Sequence, residues 1–364
     1  MKKVLFLLII LSLTIATFAY EAQINGIYYN FNHVAQTATV SHDVFAYEEG
    51  DGLDAYSYTQ TEIIIPEIIL YKGKEYQVTT IGESAFYYAR ALKSVTLPKT
   101  INKIDKYVFY GCSSLEQIII DENNSNFKSI DNILYNKEIT TLLVCPATKT
   151  EVIIPNSVTK IGEGAFFDCR NLSEIIIPNS VTCIDHDAFS DCHSLVSIVI
   201  PNSVTTIGLD AFIACTSLES IEIPSSITKI GLGTFYFCKS LKSIKLPNSI
   251  TEIGGWAFEN CQALNSIVIP HSVQKIGARA FAECSALKEI TCHSITPPDA
   301  INILADYETC SLVVPKGTLN YYKNHEEWGK FRNIQETSKI DYNSIVMKLK
   351  IISSMMQNLI YWHL

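Results

Sequence analysis

The sequence predicts a repeat solenoid, mainly β, whose coils are 23 residues long. Three observations predict it: a proline, a phenylalanine and a cysteine each recur at that spacing through the central part of the chain. Self-similarity at such a period is typical of solenoids, because one unit cannot bury its apolar face alone and must stack on its neighbours. The recurring residues are Pro155, Pro178, Pro201, Pro224, Pro247 and Pro270; Phe166, Phe189, Phe212, Phe235, Phe258 and Phe281; and Cys169, Cys192, Cys215, Cys238, Cys261 and Cys284.

Each repeat predicts two short extended segments and one helical turn. The segment Leu-x-x-Ile-x-Ile alternates with the period of a strand, so its isoleucines are expected to point inward. A proline then ends the strand, because it has no N–H to donate to the ladder. The following Ser-Val-Thr-x-Ile predicts a second short strand, and Ala-Phe-x-x-Cys is long enough only for a helical turn. Stacked coils are therefore expected to form short parallel strands joined by short helical turns.

A glycine or an aspartate follows the second extended segment in every coil. Both residue types tolerate a positive φ, where most others are strained. We therefore expect a left-handed corner at this position, with a plain flexible turn as the alternative. The residues concerned are Gly82, Gly162, Gly208, Gly231, Gly254 and Gly277, together with Asp105 and Asp185.

The two ends of the array are expected to differ from its coils, because they must cover exposed core. Residues 20–80 contain strand-like runs and predict a β-rich N-terminal cap, followed by the solenoid over residues 81–316. Residues 317–336 predict a short helical C-terminal cap. The side chains expected to seal the last coil are Tyr321, Tyr322, Trp328 and Phe331.

The repeat register breaks once, at residues 122–150, which are interpreted as a larger variant coil with its own hairpin and not as a domain boundary. Beyond the C-terminal cap, residues 337–364 form a tail whose structure the sequence does not predict. The tail is apolar, but Lys348 and Lys350 interrupt it, so no transmembrane helix is predicted there.

Residues 1–19 predict a secretory signal peptide, and hence a secreted or cell-surface protein. Lys2 and Lys3 precede a short apolar run, and Thr17-Phe-Ala19 is an acceptable cleavage site. A membrane signal anchor is the alternative reading of this segment. The formal net charge of −9 makes nucleic acid an unfavourable partner.

Seven of the eleven cysteines occupy one repeat position, since Cys112 joins the six of the central coils. They are interpreted as a ladder of small buried thiols with raised pKa values and low reactivity. Ala89 fills the same position in the first coil, so packing there does not require sulfur. Disulfides between neighbouring coils are the alternative, because stacked coils bring such residues close together.

No catalytic motif is recognisable, so the chain is predicted not to be an enzyme, with no cofactor and no small-molecule substrate. Nucleophile, phosphate-binding and Cys/His catalytic patterns are all missing from the sequence. The most metal-like group is Cys183 and His186 with Cys192 and His193. Cys192 belongs to the buried ladder and four converging ligands are not evident, so no metal site is predicted.

Binding is expected to depend on the outward positions of the stacked strands. Ile176, Val196 and Val199 predict a small exposed apolar patch, although β-branched residues also simply suit strands. Glu222 and Lys245 are expected to be neighbours of opposite charge. The candidate binding residues are Ile119, Ile176, Val196, Val199, Glu219, Glu222, Lys242, Lys245 and Val268. A second set of outward aromatic residues is assigned to packing between coils; it comprises Tyr87, Tyr110, Phe167 and Tyr236.

The repeat Pro-x-Ser-Val/Ile-Thr-x-Ile-Gly-x-x-Ala-Phe-x-x-Cys-x-x-Leu resembles the BspA-like leucine-rich repeats over roughly residues 60–336. The segment Ile133-Leu-Tyr-Asn-Lys137 and the closing Val314-Pro-Lys-Gly-Thr318 are also similar to that family. The family occurs in bacterial surface proteins and in some mucosal protozoa. The resemblance implies a leucine-rich-repeat fold and a secreted or surface protein that binds other proteins, often as an adhesin. No sorting or anchoring motif is recognised, so the mode of anchoring is not predicted.

These observations predict a non-enzymatic binding protein that adheres to host extracellular-matrix or microbial surface proteins through its stacked strands. Two alternatives stay open at this point: a structural or self-assembling envelope protein, and a glycan-binding module. The sequence does not predict the oligomeric state.

Overall fold

The computed structural model of the chain describes residues 20–42, 58–304 and 306–337. The predicted signal peptide and residues 338–364 of the predicted tail lie outside the described residues. The fold is a β-solenoid of about eleven turns with coils of about 23 residues and almost no helix, which confirms the predicted fold class. The chain divides into two compact units between Lys137 and Glu138.

The first unit is made almost entirely of strands. Strands β1, β2, β3, β6 and β5 form a mixed sheet in that order, and β8 pairs with β6. Strands β4, β7 and β9 form a separate parallel ladder. The bounds are β1 Ala22–Ile24, β2 Ile27–Asn32, β3 Thr37–Ser41, β4 Glu62–Ile64, β5 Ile68–Tyr71, β6 Lys74–Ile81, β7 Ser94–Leu97, β8 Lys103–Ile104, β9 Gln117–Ile120, β10 Phe127–Ile130 and β11 Ile133–Asn136.

A buried tyrosine joins the N-terminal sheet to the first coil. The Tyr58 hydroxyl donates to the backbone carbonyl of Ser41 (2.7 Å) and accepts from the N–H of Tyr28 (3.1 Å). Its ring lies 5.0 Å from that of Phe86, the first repeat phenylalanine. Burial raises the pKa of Tyr58 well above its usual value, so the phenol stays a neutral donor.

The irregular segment after the second coil contains the expected hairpin, formed by the antiparallel strands β10 and β11. Asn124 anchors its start: its Oδ1 accepts from the N–H groups of Asn126 and Phe127, each at 2.8 Å, and its Nδ2 donates to the carbonyl of Ile101 (2.9 Å). The hairpin ends beside Lys137, where the chain divides into its two units. The segment is therefore a hairpin coil, and the division of the chain also falls within it.

The second unit stacks its coils through parallel strands on two sides. The longer strands form the ladders β14-β16-β18-β20 and β22-β24-β26-β27. The two-residue strands form the ladder β19-β21-β23-β25, and the two-residue strands β13, β15 and β17 continue from the four-residue strand β12 in the series β12-β13-β15-β17. The bounds are β12 Thr141–Val144, β13 Lys160–Ile161, β14 Glu174–Ile176, β15 Cys183–Ile184, β16 Ser197–Val199, β17 Thr206–Ile207, β18 Ser220–Glu222, β19 Lys229–Ile230, β20 Ser243–Lys245, β21 Glu252–Ile253, β22 Ser266–Ile269, β23 Lys275–Ile276, β24 Glu289–Cys292, β25 Asp299–Ala300, β26 Ser311–Val314 and β27 Asn333–Glu336. Helix α1 spans Leu319–Lys323, and a 3-10 helix spans Trp328–Lys330.

The repeat phenylalanines and cysteines form the core of this unit. From Phe166 to Phe281 the rings are fully buried and stack nearly parallel, with centroids 4.9–5.6 Å apart. From Cys192 onward, each thiol of this position donates to the carbonyl of the phenylalanine one coil earlier, at 3.0–3.2 Å. All eleven cysteines are free thiols, and burial raises the pKa of the ladder members Cys192, Cys215 and Cys238. The expected ladder of buried thiols is confirmed.

The recurring glycine position of the repeat is not a left-handed corner, and that prediction is wrong. Positive φ occurs two residues later in each coil, for example at Asp187 and Asp210. Several of these glycines are needed for a different reason, because the backbone of the adjacent coil approaches them closely. A Cβ added to Gly208 would lie 2.3 Å from the backbone nitrogen of His186, and one added to Gly277 would lie 2.2 Å from that of Gly255.

The segments around each repeat phenylalanine are successive turns and not a helix. Hydrogen bonds span three residues, as from the N–H of Phe167 to the carbonyl of Gly164 (3.0 Å) and from the N–H of Cys169 to that of Phe166 (3.2 Å). Asp168, between these turns, has φ of 59°, which prevents a helix from propagating. Side chains from these turns, between the repeat glycine and the repeat leucine, form what we call the turn face.

The last coil is closed by aromatic side chains and one buried carboxylate. Tyr322, Trp328 and Phe331 are buried as expected, whereas Tyr321 is 61% exposed and does not seal the core, because it lies on the outward side of α1. The Oε1 atom of Glu327 accepts from the N–H of Ile303 (2.7 Å), a donor that has no further coil to pair with.

Replacement of Gly208 by alanine is expected to destabilise the protein by about 1–3 kcal/mol, because the new methyl group meets a backbone that cannot move aside. Gly231→Ala is the matched control at the same repeat position. Its Cβ would lie closest to the side chains of Leu209 (3.1 Å) and Thr234 (3.2 Å), and it would meet the backbone oxygen of Gly208 only at an ordinary contact distance of 3.6 Å. Urea unfolding measures the free energy of unfolding of both variants. An equal loss of stability in the two would show that close approach of the backbone is not the reason for glycine at Gly208.

Glu327 is expected to make stability depend on pH at the acid end. Burial acts to raise the pKa of Glu327, but hydrogen bonds from Lys330, Tyr307 and Ile303 outweigh burial and lower it. A lowered folded pKa contributes stability that is present above the unfolded value of about 4.3 and is lost as pH falls through the folded value.

Glu327→Gln should therefore lower the free energy of unfolding at pH 7 by about 1–3 kcal/mol and flatten its dependence on pH below 5. The exposed neighbour Glu326 provides the control, Glu326→Gln. Unfolding curves between pH 3 and pH 7 measure this dependence. If the free energy of unfolding of Glu327→Gln still falls below pH 5 as it does in the parent, the proposed role of this carboxylate is contradicted.

Candidate binding face

The strand face of the second unit is the outward side of β14, β16, β18 and β20, together with Ile153. One column of residues runs across it in register: Ile176 pairs with Val199, Val199 with Glu222, and Glu222 with Lys245. A single parallel bridge adds Ile153 beside Ile176. The column therefore begins with three adjacent β-branched apolar residues and ends with two charged ones.

Strand alternation explains why these apolar residues face solvent. Ile175 and Ile177 are buried, with only 5% of each residue exposed, whereas Ile176 between them is 83% exposed. Ile153 is 92% exposed and Val199 is 78% exposed. Three fully exposed neighbours make a contiguous apolar strip, and such strips on a soluble protein mark contact sites more often than scattered single residues do.

Two ion pairs border the strip. Lys245 Nζ lies 2.7 Å from Glu222 Oε1, and Lys242 Nζ lies 2.9 Å from Glu219 Oε1. All four side chains are more than half exposed, so each pair contributes at most about 1 kcal/mol to stability. Because they contribute so little to folding, these charges are available to orient a partner.

A groove of about 660 Å³ follows the three strands β16, β18 and β20. The buried Ile200, Ile223 and Pro224 line it, and the exposed Val199 and Lys245 stand along it. Polar side chains at the ends of the strands complete the lining; they include Asn202, Ser220 and Ser225. The groove thus combines an apolar lining with hydroxyl, amide and charged groups.

The predicted binding residues fall into separate groups. Val196 is 46% exposed but precedes β16, and backbone hydrogen bonds align it with Glu219 and Lys242 in a second column. Val268 lies on β22, in the next ladder, and Ile119 lies on β9 of the first unit. Ile176, Val199, Glu222 and Lys245 are the four that share one column.

Sequence reasoning missed Ile153, the most exposed member of the strip. The broken repeat register concealed it, since no repeat phenylalanine precedes it at the usual distance. The sequence does contain a signal for Ile153. Residues Glu151-Val-Ile-Ile-Pro155 lie one coil before Glu174-Ile-Ile-Ile-Pro178 and have the same pattern. Ile64 of the first unit, 71% exposed, occupies the same place in Glu62-Ile-Ile-Ile-Pro66.

The ladder of longer strands is interrupted beside Lys245. Among the described strands, β20 pairs with β18 and β22 pairs with β24, but no pairing joins β20 to β22. Ile244 and Leu246 are half-buried there, although the equivalent Ile221 and Ile267 are buried. The charged end of the column therefore lies where the ladder of paired strands is interrupted.

The metal-like group of the sequence does not converge. The Cys192 thiol donates to the carbonyl of Phe166, His186 Nδ1 accepts from the N–H of Leu209, and His193 Nδ1 bonds to the carbonyl of Ala214. Across residues 20–42, 58–304 and 306–337, no three His, Cys, Asp or Glu side chains are grouped as metal ligands. Within the same ranges, no helix is long and apolar enough to cross a bilayer.

The chain is similar to known repeat proteins. The family described as BspA type leucine rich repeat region matches it in six copies, over residues 56–150, 145–262 and 205–301. A leucine-rich repeat protein from Bacteroides ovatus is 24% identical with a TM-score of 0.53, over 88% of this chain and 78% of that one. Another from Eubacterium ventriosum is 32% identical with a TM-score of 0.50, over 58% of this chain and 63% of that one. No curated protein matches significantly.

Cys183 is expected to be the only thiol of the native protein that reacts measurably with a thiol-reactive dye. It is half-buried on β15, while the other ten cysteines are buried. Burial raises its pKa as well, so labelling at pH 8 should be measurable but slow for a surface thiol. A thiol-reactive dye should label one cysteine in the native state and eleven in denaturant. Cys183→Ser should remove the native signal, and a second labelled native thiol would contradict the buried ladder.

Proposed function

We propose that this chain, which belongs to the family of BspA-type leucine-rich repeat proteins, is a secreted or cell-surface protein that binds a protein ligand through its strand face. The family and the fold are those of repeat proteins that serve protein–protein interaction and are typically non-enzymatic. The exposed strip of Ile153, Ile176 and Val199 is the observation that carries the proposal.

The physical case for this face is the arrangement of apolar and charged groups. Covering the strip removes apolar surface from water, which is favourable by roughly 25 cal/mol per Å² of buried area. Interface energy is concentrated in such desolvated central contacts, while charged groups at the rim set orientation and association rate. The pair Glu222 and Lys245 supplies that rim at one end of the column.

Adhesion is the role that accords with the other observations. Residues 1–19 have the composition of an export signal, which would place the repeat array outside the cell. A long ladder of strands offers an extended surface suited to a macromolecule, as in other solenoids. The ligand class we propose is therefore a surface-exposed protein, from host extracellular matrix or from another microbial cell.

The experiment measures binding of the full chain to immobilised host extracellular-matrix proteins and to intact bacterial cells. The test variant carries Ile153→Thr, Ile176→Thr and Val199→Thr, because threonine keeps strand propensity but removes apolar surface. We expect at least a tenfold loss of affinity, since central apolar contacts dominate such interfaces.

The matched control carries Ile68→Thr and Leu70→Thr, which are exposed apolar strand residues of the first unit. This control should bind with the affinity of the parent. If the test variant also binds with the parent's affinity, the strand face is not the binding site. If the folded parent binds no surface but forms oligomers as its concentration rises, the adhesin proposal fails and a self-assembling structural role replaces it.

A further inference from the structure

The parallel ladder of the first unit has an open outer edge. Strand β4 begins the ladder β4-β7-β9, and among the described strands it pairs with β7 alone. The N–H of Ile65 donates to the carbonyl of Thr96 (2.9 Å), so the odd-numbered residues of this segment direct their backbone groups toward β7. Successive residues of a strand direct these groups to opposite sides. The N–H and C=O groups of Glu62 and Ile64 therefore face away from β7, and no described residue bonds to them.

Such an edge is a template for a further strand, because its unpaired donors and acceptors are already in line. The corresponding ladder of the second unit covers its own edge, since Ile153 forms a parallel bridge with Ile176 of β14. Strand β4 has no such cover among the described residues, and its Ile64 is 71% exposed. The edge of β4 can therefore form backbone hydrogen bonds with another chain.

A cavity of about 180 Å³ lies along the same edge. Buried residues line it: Ile63 of β4, Ile27 and Tyr29 of β2, and Ile69 of β5. None of its lining residues belongs to β7, so it lies on the unpaired side of β4. A dry cavity of roughly 150 Å³ holds a benzene molecule, so this one has room for a single apolar side chain. We call the cavity and the adjoining edge of β4 the edge cleft.

The edge cleft lies where the inward row of the ladder would continue. Ile63, Val95 and Ile118 are in register on β4, β7 and β9, and all three are buried. A strand added beside β4 in the same register brings its own inward side chain next to Ile63, which lines the cavity. The N-terminal sheet therefore covers this end of the row without filling it, and the remaining space fits an apolar residue.

One wall of the cavity is fixed by Gln60. Its Nε2 donates to the carbonyl of Gly26 (3.2 Å), in the turn between β1 and β2. A Cβ added to Gly26 would lie 2.4 Å from that Nε2, so glycine is what allows the amide to pack here. The cavity is therefore formed before a ligand arrives, and a preformed site loses less conformational entropy on binding.

The outward residues of β4 define what an added strand must present. Glu62 is exposed and forms no ion pair among the described residues. A lysine or arginine beside it on the added strand is a favourable cross-strand neighbour, and Ile64 favours an apolar neighbour in the same way. In a parallel arrangement, a matching segment is therefore basic and outward, then apolar and inward, then apolar and outward.

We propose that the edge cleft binds an extended segment of another protein, which adds as a parallel strand beside β4 and places one apolar side chain in the cavity. The segment carries a basic residue beside Glu62. A second copy of this chain is a poorer occupant, because β4 carries no cation and self-pairing leaves Glu62 unmatched. The edge cleft lies in the first unit and does not depend on the strand face of the second.

Fluorescence anisotropy of a labelled peptide tests this site on the full chain. The probe is Thr-Thr-Lys-Ile-Val-Thr-Ser, which has the matching pattern at its centre. One comparison peptide replaces its lysine by glutamate, and another replaces its isoleucine by aspartate. We expect the probe to bind with a Kd below about 100 μM and both comparison peptides to bind at least about tenfold more weakly.

The first test variant, Ile64→Pro, removes the N–H that faces the edge cleft. It leaves the hydrogen bond of Ile65 to β7 intact, and proline is tolerated on an edge strand. It should weaken binding of the probe at least about tenfold. Ile64→Thr is the matched control, because it keeps this N–H, and it should change the affinity by less than about threefold. Urea unfolding checks that both variants are folded.

The second test variant, Glu62→Lys, has a readout that loss of structure cannot produce. It should reverse the preference, so that the glutamate peptide binds more tightly than the probe. Equal affinity of Glu62→Lys and the parent for the probe would overturn the proposal, as would no binding by the folded parent up to about 1 mM probe. If sedimentation instead shows a dimer that Ile64→Pro abolishes, the occupant is a second copy and the proposal is wrong.

Discussion

The carbonyl group of the repeat phenylalanine is the point on which this structure depends. It accepts the N–H of the cysteine three residues later and the thiol of the cysteine in the next coil, as Phe189 does from Cys192 and Cys215. The phenylalanine rings stack at the same period. Shifting one coil by a single residue would break the hydrogen bonds and the ring stack together, so the 23-residue period is enforced from within the core. The first coil supports this reading, because Ala89 has no repeat phenylalanine in a preceding coil to accept from a thiol.

A core with a fixed period also organises the surface. Within a ladder, each outward strand residue lies beside the residue one repeat away, so similar residues at one repeat position form a strip on the surface. Ile176 and Val199 are neighbours for this reason, as are Glu222 and Lys245. Substitutions at outward positions leave the Phe–Cys core intact, so the surface can change its chemistry while the fold persists.

The turn face obeys a stricter constraint, because the backbone there must pass through positive φ twice in each coil. Glycine, aspartate and asparagine occupy about half of these positions in the described coils. Tyr88, Tyr107, Phe237 and Trp256 meet it at a cost in strain and place half-exposed rings outside the core.

The sequence by itself determined the solenoid, its period, the inward residues of each strand and the buried cysteine ladder, because a repeating core is written directly into residue spacing. It also predicted that Glu222 would face Lys245. Only the tertiary structure decided that Ile153 extends the apolar strip and that Tyr321 is exposed. It also showed that glycines such as Gly208 are required by close contact between coils and not by their own φ. Spacing along the chain specifies which residues are neighbours, but the room beside each residue depends on how the backbone of the adjacent coil runs.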